Sequence, residues 1–256
     1  MSLHPLALGF ADVADEYELG RPGYVPEAIE AIRTALGLAA GARVADVGAG
    51  TGKLTRALVA AGLTVIAVEP LPSLRATLAR AVPEADVRDG TAEALPLADD
   101  AVDAVICADA YHWFDGPRAV AEFARVIAPG RGGVALLWHW EGDSEDAPSW
   151  RTELHAFIES IRPEHPSFTG DQGRGAVDAS PAFGELTLTE VRHEFRTDRE
   201  RLLAQIASMS YVGGMPEPER RAVLAHAEAI LARHDVHEVM APLRTAIWTA
   251  RRLGAR

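Results

Sequence analysis

The chain has a single cysteine in 256 residues, Cys107, which excludes an internal disulfide and fits a reducing compartment. Its setting, Val105-Ile106-Cys107-Ala108, is that of a small core residue rather than a reactive thiol. Long hydrophobic runs are missing too. No stretch approaches the roughly 18 uninterrupted apolar residues that span a bilayer, so no membrane partner is expected. The short apolar patch at 6–10 has no basic segment ahead of it, and Asp12, Asp15 and Glu16 follow, which is not the pattern of a secretory signal. A cytoplasmic location is the expectation. Basic charge is in deficit: 25 Lys and Arg against 37 Asp and Glu leave a formal charge of −12, which repels a phosphate backbone and argues against nucleic acid as a partner. No metal site is expected either. His234, Asp235, His237 and Glu238 look like ligands, but two histidines three apart with an adjoining glutamate match no zinc-protease order, and a solvated polar segment is the plainer reading.

What is present is enough apolar residue, 48%, to bury one large core or a core with a smaller cap. Val25-Pro26-Glu27 opens a helix with proline where its missing N–H does no harm; Ile29, Ile32 and Leu36 share a face, and Gly37 stops it. Residues 43–47 then read as a short apolar strand ending in glycines, and 53–61 as a helix carrying Leu54 and Leu58. The unit repeats as a strand at 64–68 with a helix at 71–81, and a strand at 102–107 with a helix at 117–127, before a further strand at 133–138. Strands apolar throughout, alternating with amphipathic helices, imply a parallel sheet covered on both faces by right-handed crossovers, a doubly wound α/β fold.

After Trp140 the pattern changes. An acidic stretch at 141–147 and a Pro-, Gly- and Ser-rich stretch at 162–184 read as loop or lid, followed by strands at 186–195 and 243–253 with helices at 199–209 and 218–233 between them. The expected organisation is an arm and helix over 1–40, an α/β core over 41–140 and a lid, two strands and a helical cap over 141–256, the arm covering a cofactor site and the cap an acceptor site.

The strongest local signal is Asp46-Val47-Gly48-Ala49-Gly50-Thr51-Gly52, between a strand and a helix. In open α/β sheets that turn lies at the carboxyl ends of the strands, where ligands bind, and glycine lets the backbone come close to them. Glu69 ends the next strand and can accept two hydrogen bonds from a ribose diol. Both features suit any adenosine-bearing cofactor. The dinucleotide fingerprint G-x-G-x-x-G, however, needs a third glycine at the position of Lys53.

Taken together, 46–52, Glu69, Asp89-Gly90-Thr91-Ala92-Glu93-Ala94-Leu95-Pro96 and Tyr111-His112-Trp113-Phe114 resemble the class I methyltransferases, in particular the branch that includes the ubiquinone-biosynthesis and trans-aconitate methyltransferases. The resemblance implies a Rossmann-like, mostly parallel sheet of seven strands with helices on both faces and a helical cap inserted between the last two strands. It implies S-adenosyl-L-methionine as cofactor and S-adenosyl-L-homocysteine as product. It assigns the loop of Asp46, Gly48, Ala49, Gly50 and Gly52 to the methionine portion, Glu69 to ribose, and Thr91 and Ala92 to the adenine, with Pro70 and Glu93 also among the cofactor-binding residues. A common family pattern has aspartate where this chain has Thr91, leaving the Ala92 backbone for the adenine amine.

Asp109 follows the third repeated strand, near the expected sulfonium, where it can attract the cofactor's ammonium or cap the local turn. His112 is a candidate base toward a hydroxyl or amine, or a structural histidine beside Trp113. Tyr17, Arg21 and Tyr24 precede the first helix; aromatic faces there can stabilise a sulfonium, and Arg21 can grip an acidic acceptor. Ser208, Ser210 and Tyr211 resemble a patch that faces the acceptor in relatives, or simply end a helix, and Trp138-His139-Trp140 reads as strand-end packing. The expected reaction is in-line methyl transfer to a small-molecule acceptor by a monomer or homodimer. The alternatives are an NAD-dependent oxidoreductase and a non-catalytic cofactor-binding protein on the same fold.

Overall fold

Strand side chains alternate between two apolar layers, and that alternation builds the protein. Along β4 (Ala104–Ala108), Ala104 and Ile106 join one layer while Val105 and Cys107 join the other; along β5 (Gly133–Glu141), Ala135 and Leu137 oppose Val134, Leu136 and Trp138. The first layer is completed by Ile29, Ile32 and Leu36 of α2 (Pro26–Leu36) and by Leu54 and Leu58 of α3 (Lys53–Ala60). The second is completed by Val120, Phe123 and Val126 of α5 (Gly116–Val126). Leu58 and Phe123 are fully buried, so truncating either to alanine is worth about 2–5 kcal/mol.

The computed structural model describes residues 4–141, 147–164 and 172–254. With β1 (Arg43–Val47), β2 (Thr64–Val68), β3 (Asp86–Arg88), β6 (Thr187–Asp198) and β7 (Glu238–Arg251), the seven strands form one sheet in the order β3-β2-β1-β4-β5-β7-β6. β1 pairs in parallel with β2 and β4, β2 with β3, and β4 with β5. The chain winds outward from β1 to β3, then returns to the other side of β1 at β4. Strand order therefore reverses beside β1, the place where open α/β sheets bind ligands. The mostly parallel, seven-stranded, doubly wound fold expected from the sequence is the one observed.

Chain contacts divide the protein into two compact units, one of Met1–Pro22, Glu141–His165 and Arg192–Arg244, the other of Gly23–Trp140, Pro166–Val191 and Thr245–Arg256. The expected boundary at 40/41 falls inside the second unit, because α2 packs on β1 and β4. That unit holds the parallel strands, α2, α3, α4 (Pro72–Ala81), α5 and the short α7 (Gly175–Asp178). The first unit is mainly helical: α1 (Ala14–Gly20), α6 (Ser149–Ile161), α8 (Arg199–Ala207), α9 (Ser210–Gly213) and α10 (Glu217–Arg233). Its core joins Trp150 and Leu154 of α6, Leu202 and Ile206 of α8, and Ile230 and Leu231 of α10.

Three local readings change. β3 is a strand that the sequence pattern did not mark, since Asp86 and Arg88 leave only Val87 apolar. α6 fills a region read as structureless on either side, although Trp150, Leu154, Phe157 and Ile158 stand at helical spacing. The acidic stretch lies outside the described residues over 142–146 and the loop or lid over 165–171; within the rest of that loop, α7 forms at Gly175–Asp178. No helix among the described residues is long and apolar enough to cross a membrane.

Candidate functional site

At the carboxyl end of β1 the backbone turns through three residues of positive φ, Gly48, Gly50 and Gly52. Two of these glycines answer different demands. A Cβ on Gly52 would sit 2.4 Å from Leu78 Cδ1, so that glycine lets α4 close on the loop; a Cβ on Gly50 would meet none of the described residues within 4 Å, so among them Gly50 borders open space. The N–H groups of Gly48 and Ala49 donate to the Val68 carbonyl, at 2.9 and 3.2 Å, which moors the turn to the end of β2. Thr51 is fully buried, and its Oγ1 has no hydrogen-bond partner among the described residues.

Glu69, 4% exposed, lies directly across that loop. Its Oε2 accepts the Gly50 N–H at 2.8 Å and its Oε1 the Leu71 N–H at 2.8 Å. Each carboxylate oxygen keeps a further lone pair, so a diol can still bond there. Burial raises the Glu69 pKa, and the two backbone N–H bonds oppose that rise. Arg75 anchors the segment by donating to the carbonyls of Glu69 and Pro70, at 2.7 and 3.0 Å. Asp46 is buried beneath the loop, where burial pushes its pKa up to about 7 while a 2.6 Å bond from the Thr55 hydroxyl pulls the other way.

A second cluster stands at the carboxyl ends of β4 and β5. Asp109 has φ +50, a left-handed conformation that costs a non-glycine residue energy, though aspartate tolerates it best. Its Oδ2 accepts the Tyr24 hydroxyl at 3.0 Å, its Oδ1 accepts the His139 N–H at 3.2 Å, and His139 Nδ1 lies 3.3 Å from Oδ2. The Tyr24 and His139 rings stack with centroids 4.4 Å apart. From the sequence, His139 reads as strand-end packing. The parallel pairing of Ala108 with Leu137, which places the two strand ends side by side, is what makes it a partner of Asp109.

His112 accepts the Trp138 indole N–H on Nδ1 at 3.2 Å. Indole nitrogen can only donate, so the neutral ring carries its proton on Nε2 and faces other groups as a donor rather than a base. Glu93 Oε1 accepts the Asp115 N–H at 2.9 Å, Ala92 is buried in the core, and Thr91 bridges to Ala94; these three form a firm turn after β3. Cys107 is fully buried, and burial pushes its thiol well above the ordinary range, as a structural cysteine requires.

The comparisons with known proteins bear on this geometry. A family model described as a methyltransferase domain matches residues 45–135, the segment that carries the loop, Glu69 and Asp109. An uncharacterized methyltransferase of Mycobacterium tuberculosis is 37% identical over 233 residues, covering 91% of this chain and 89% of that protein. The structure of a putative type II methyltransferase from Anaeromyxobacter dehalogenans superposes with a TM-score of 0.68 at 25% identity, covering 92% of this chain and 99% of that one. An N-methyltransferase from Haemonchus contortus, solved with phosphomonomethylethanolamine and S-adenosylhomocysteine, shares the fold with a TM-score of 0.50 at 13% identity, covering 92% of this chain and 56% of that one. This chain belongs to the class I S-adenosylmethionine-dependent methyltransferase family. The strand order is the one usual for that family's sheet.

The remaining expected residues of this methyltransferase lie in the helical unit. Arg21 Nε donates to Ser208 Oγ at 3.0 Å, and its guanidinium carbon stands 5.6 Å from the Tyr17 ring centroid. Ser208 also donates to the Gln205 carbonyl at 2.8 Å, and the Tyr211 hydroxyl donates to Met209 Sδ at 3.1 Å. Tyr17, Arg21 and the 208–211 patch are thus gathered together within that unit. His234 Nε2 is 2.9 Å from Glu153 Oε2, and His237 pairs with Asp235 at 3.0 Å.

Proposed function

We propose that this protein transfers a methyl group in line from S-adenosyl-L-methionine to a small-molecule acceptor. The observation that carries the reading is the open space at Gly50 beside the buried carboxylate of Glu69, at the point where strand order reverses. Gly48, Ala49, Gly50 and Gly52 would hold the methionine portion, Glu69 and Pro70 the ribose, and Thr91, Ala92 and Glu93 would border the adenine, with Asp46 supporting the loop from below. When bound, the cofactor supplies a methyl group already activated on a sulfonium. The chain's own work is then alignment and exclusion of water, and the effective molarity of a well-aligned pair is very large. Asp109 supplies negative charge at the end of β4, held in place by Tyr24 and His139. His112, with its proton on Nε2, orients an acceptor oxygen or nitrogen by donating to it. The formal charge of −12 supports a small acceptor over a nucleic acid.

Calorimetric titration with S-adenosylmethionine, S-adenosylhomocysteine and NADH tests the cofactor, and incubation with labelled S-adenosylmethionine and a mixed small-molecule extract, read by mass spectrometry, tests transfer. The reading stands if the two adenosyl ligands bind and label passes to a small molecule. NADH binding more tightly than S-adenosylhomocysteine would replace it with an oxidoreductase, and binding without turnover on any extract would leave a cofactor-binding protein.

A further inference from the structure

The helical unit contains a cavity of about 100 Å³, open at one side and lined by α6, α8 and neighbouring strand residues of β6 and β7. Its walls are mostly apolar, including Trp150, Leu154, Phe195, Leu202, Ile206 and Leu243. Four polar side chains break the apolar lining: Arg151, His155, Thr197 and Gln205, of which His155 stands 3.8 Å from Glu159 Oε1. Thr197 is 2% exposed, and its Oγ1 is buried with no hydrogen-bond partner among the described residues. Arg151 lies over the Trp150 ring, 5.4 Å from its centroid, and its guanidinium makes no hydrogen bond or ion pair among the described residues. The Gln205 amide likewise has none.

An empty apolar cavity is ordinary, but a buried, unpartnered hydroxyl in its wall is not, because buried polar groups are otherwise almost always paired; the partly exposed Arg151 and Gln205 side chains stand beside it with no partner among the described residues. The Thr197 hydroxyl and the Gln205 amide can donate or accept, while Arg151 only donates and is permanently cationic, so an acceptor carrying negative charge is the group that suits all three. The enclosed volume is below the ~150 Å³ that takes benzene, which limits the buried part of a ligand to a short aliphatic segment. In a chain of formal charge −12, an anion is held only where a local cation outweighs the general repulsion, and Arg151 is that cation.

We propose that this cavity binds a short-chain aliphatic monocarboxylate, its hydrocarbon among Leu154, Phe195, Leu202 and Ile206 and its carboxylate paired with Arg151 and bonded by the neutral donors. The site stands independently of methyl transfer, and its test needs no cofactor.

Sodium hexanoate and 1-hexanol are titrated calorimetrically into the wild type, Arg151→Gln and Leu154→Trp, with thermal melting as the check on folding. Hexanoate is expected to bind the wild type more tightly than hexanol. Arg151→Gln, a change at a partly exposed position, should weaken hexanoate by about tenfold or more, the loss of one charge-assisted pairing, and leave hexanol within about twofold. Leu154→Trp fills the cavity and should abolish both; if it fails to fold, the hexanoate and hexanol comparison in Arg151→Gln decides alone. No hexanoate binding, hexanol favoured by the wild type, or unchanged hexanoate affinity in Arg151→Gln would each overturn the proposal.

Discussion

Gly50 donates its backbone N–H to Glu69 Oε2 at 2.8 Å, so the glycine loop after β1 and the acid that ends β2 form one unit rather than two adjacent features. A residue expected to serve only a ligand therefore also holds the loop in shape.

Glu69→Ala should accordingly weaken S-adenosylhomocysteine binding by about 1–3 kcal/mol, the scale of lost charge-assisted hydrogen bonds, and should also lower stability, since the N–H groups of Gly50 and Leu71 lose their acceptor. Glu69→Gln keeps one acceptor oxygen and should recover part of the stability. Calorimetry and urea denaturation of the two variants measure this; an alanine variant as stable as the wild type would mean that the loop stands without the carboxylate.

Glycine positions in the loop should separate by phenotype. Gly50→Ala places a methyl group in open space at φ +58, so it should lower S-adenosylhomocysteine affinity by about tenfold or more while costing roughly 1–2 kcal/mol of stability. Gly52→Ala drives Cβ to within 2.4 Å of Leu78, and its main effect should be on folding, at about 1–3 kcal/mol beyond the left-handed strain. Equal losses of affinity per unit of stability in both variants would erase the distinction.

Much of this site was legible in the sequence because it depends on local order: a strand, glycines at alternate positions, a helix, and an acid at the end of the next strand. The pattern of apolar strands likewise revealed the parallel core, since Val44, Ile66, Ile106 and Leu136 sit in runs apolar on both faces. What escaped depends on tertiary pairing or on short elements. β3 has a single apolar residue. The engagement of His139 with Asp109 exists only because β4 and β5 lie in register, and the proton on His112 is assigned by Trp138, 26 residues away. The apolar spacing of α6 is masked by the acidic and Pro-rich stretches on either side of it, whose composition is that of loops.

Asp46 should leave a signature in the pH dependence of stability. Its pKa in the folded protein is about 7 against 3.8 for the free group, raised chiefly by burial. The folded state therefore holds a proton that the unfolded state has released across this window, and the carboxyl's contribution, present below about pH 4, is lost as pH rises toward 7. Asp46→Asn removes the titration while keeping an acceptor for Thr55, so its stability curve should be flatter than the wild type's between about pH 4 and pH 7. Urea denaturation across that range checks the sign, and parallel curves would show that Asp46 titrates normally.

Tyr24→Phe removes only the hydroxyl that donates to Asp109 Oδ2. Because Asp109 holds a left-handed backbone, losing one of its restraints should loosen the end of β4. The expected cost is about 1.5–3 kcal/mol, the range for a hydrogen bond to a charged group, with a parallel weakening of S-adenosylhomocysteine binding. Asp109→Asn, which also tolerates positive φ, should retain the fold while reducing ligand affinity. An Asp109→Asn variant that binds with wild-type affinity would confine the carboxylate to a structural role.

In the helical unit, the contact between α1 and α8 allows a test of the arm that ends in Tyr17 and Arg21. Gly20 closes α1, and a Cβ built there would lie 2.2 Å from the Gln205 backbone nitrogen and 2.6 Å from the Ala204 carbonyl carbon. Those neighbours are backbone atoms and cannot rotate aside, so Gly20→Ala must push α1 away from α8. Two attachments then weaken together: the Arg21 bond to Ser208, and the ion pair of Glu16 with Arg220 at 2.7 Å. Hydrogen exchange should rise over 14–21 and over the end of α8 while β1 keeps its protection, because β1 is held by parallel pairing in the other unit. Tyr17→Ala, which removes a ring packed edge-on to Phe10 and beneath Arg21 without driving any atom into the α8 backbone, should perturb exchange less than Gly20→Ala. If Gly20→Ala leaves the protection of 14–21 unchanged, α1 is not held by its close approach to α8.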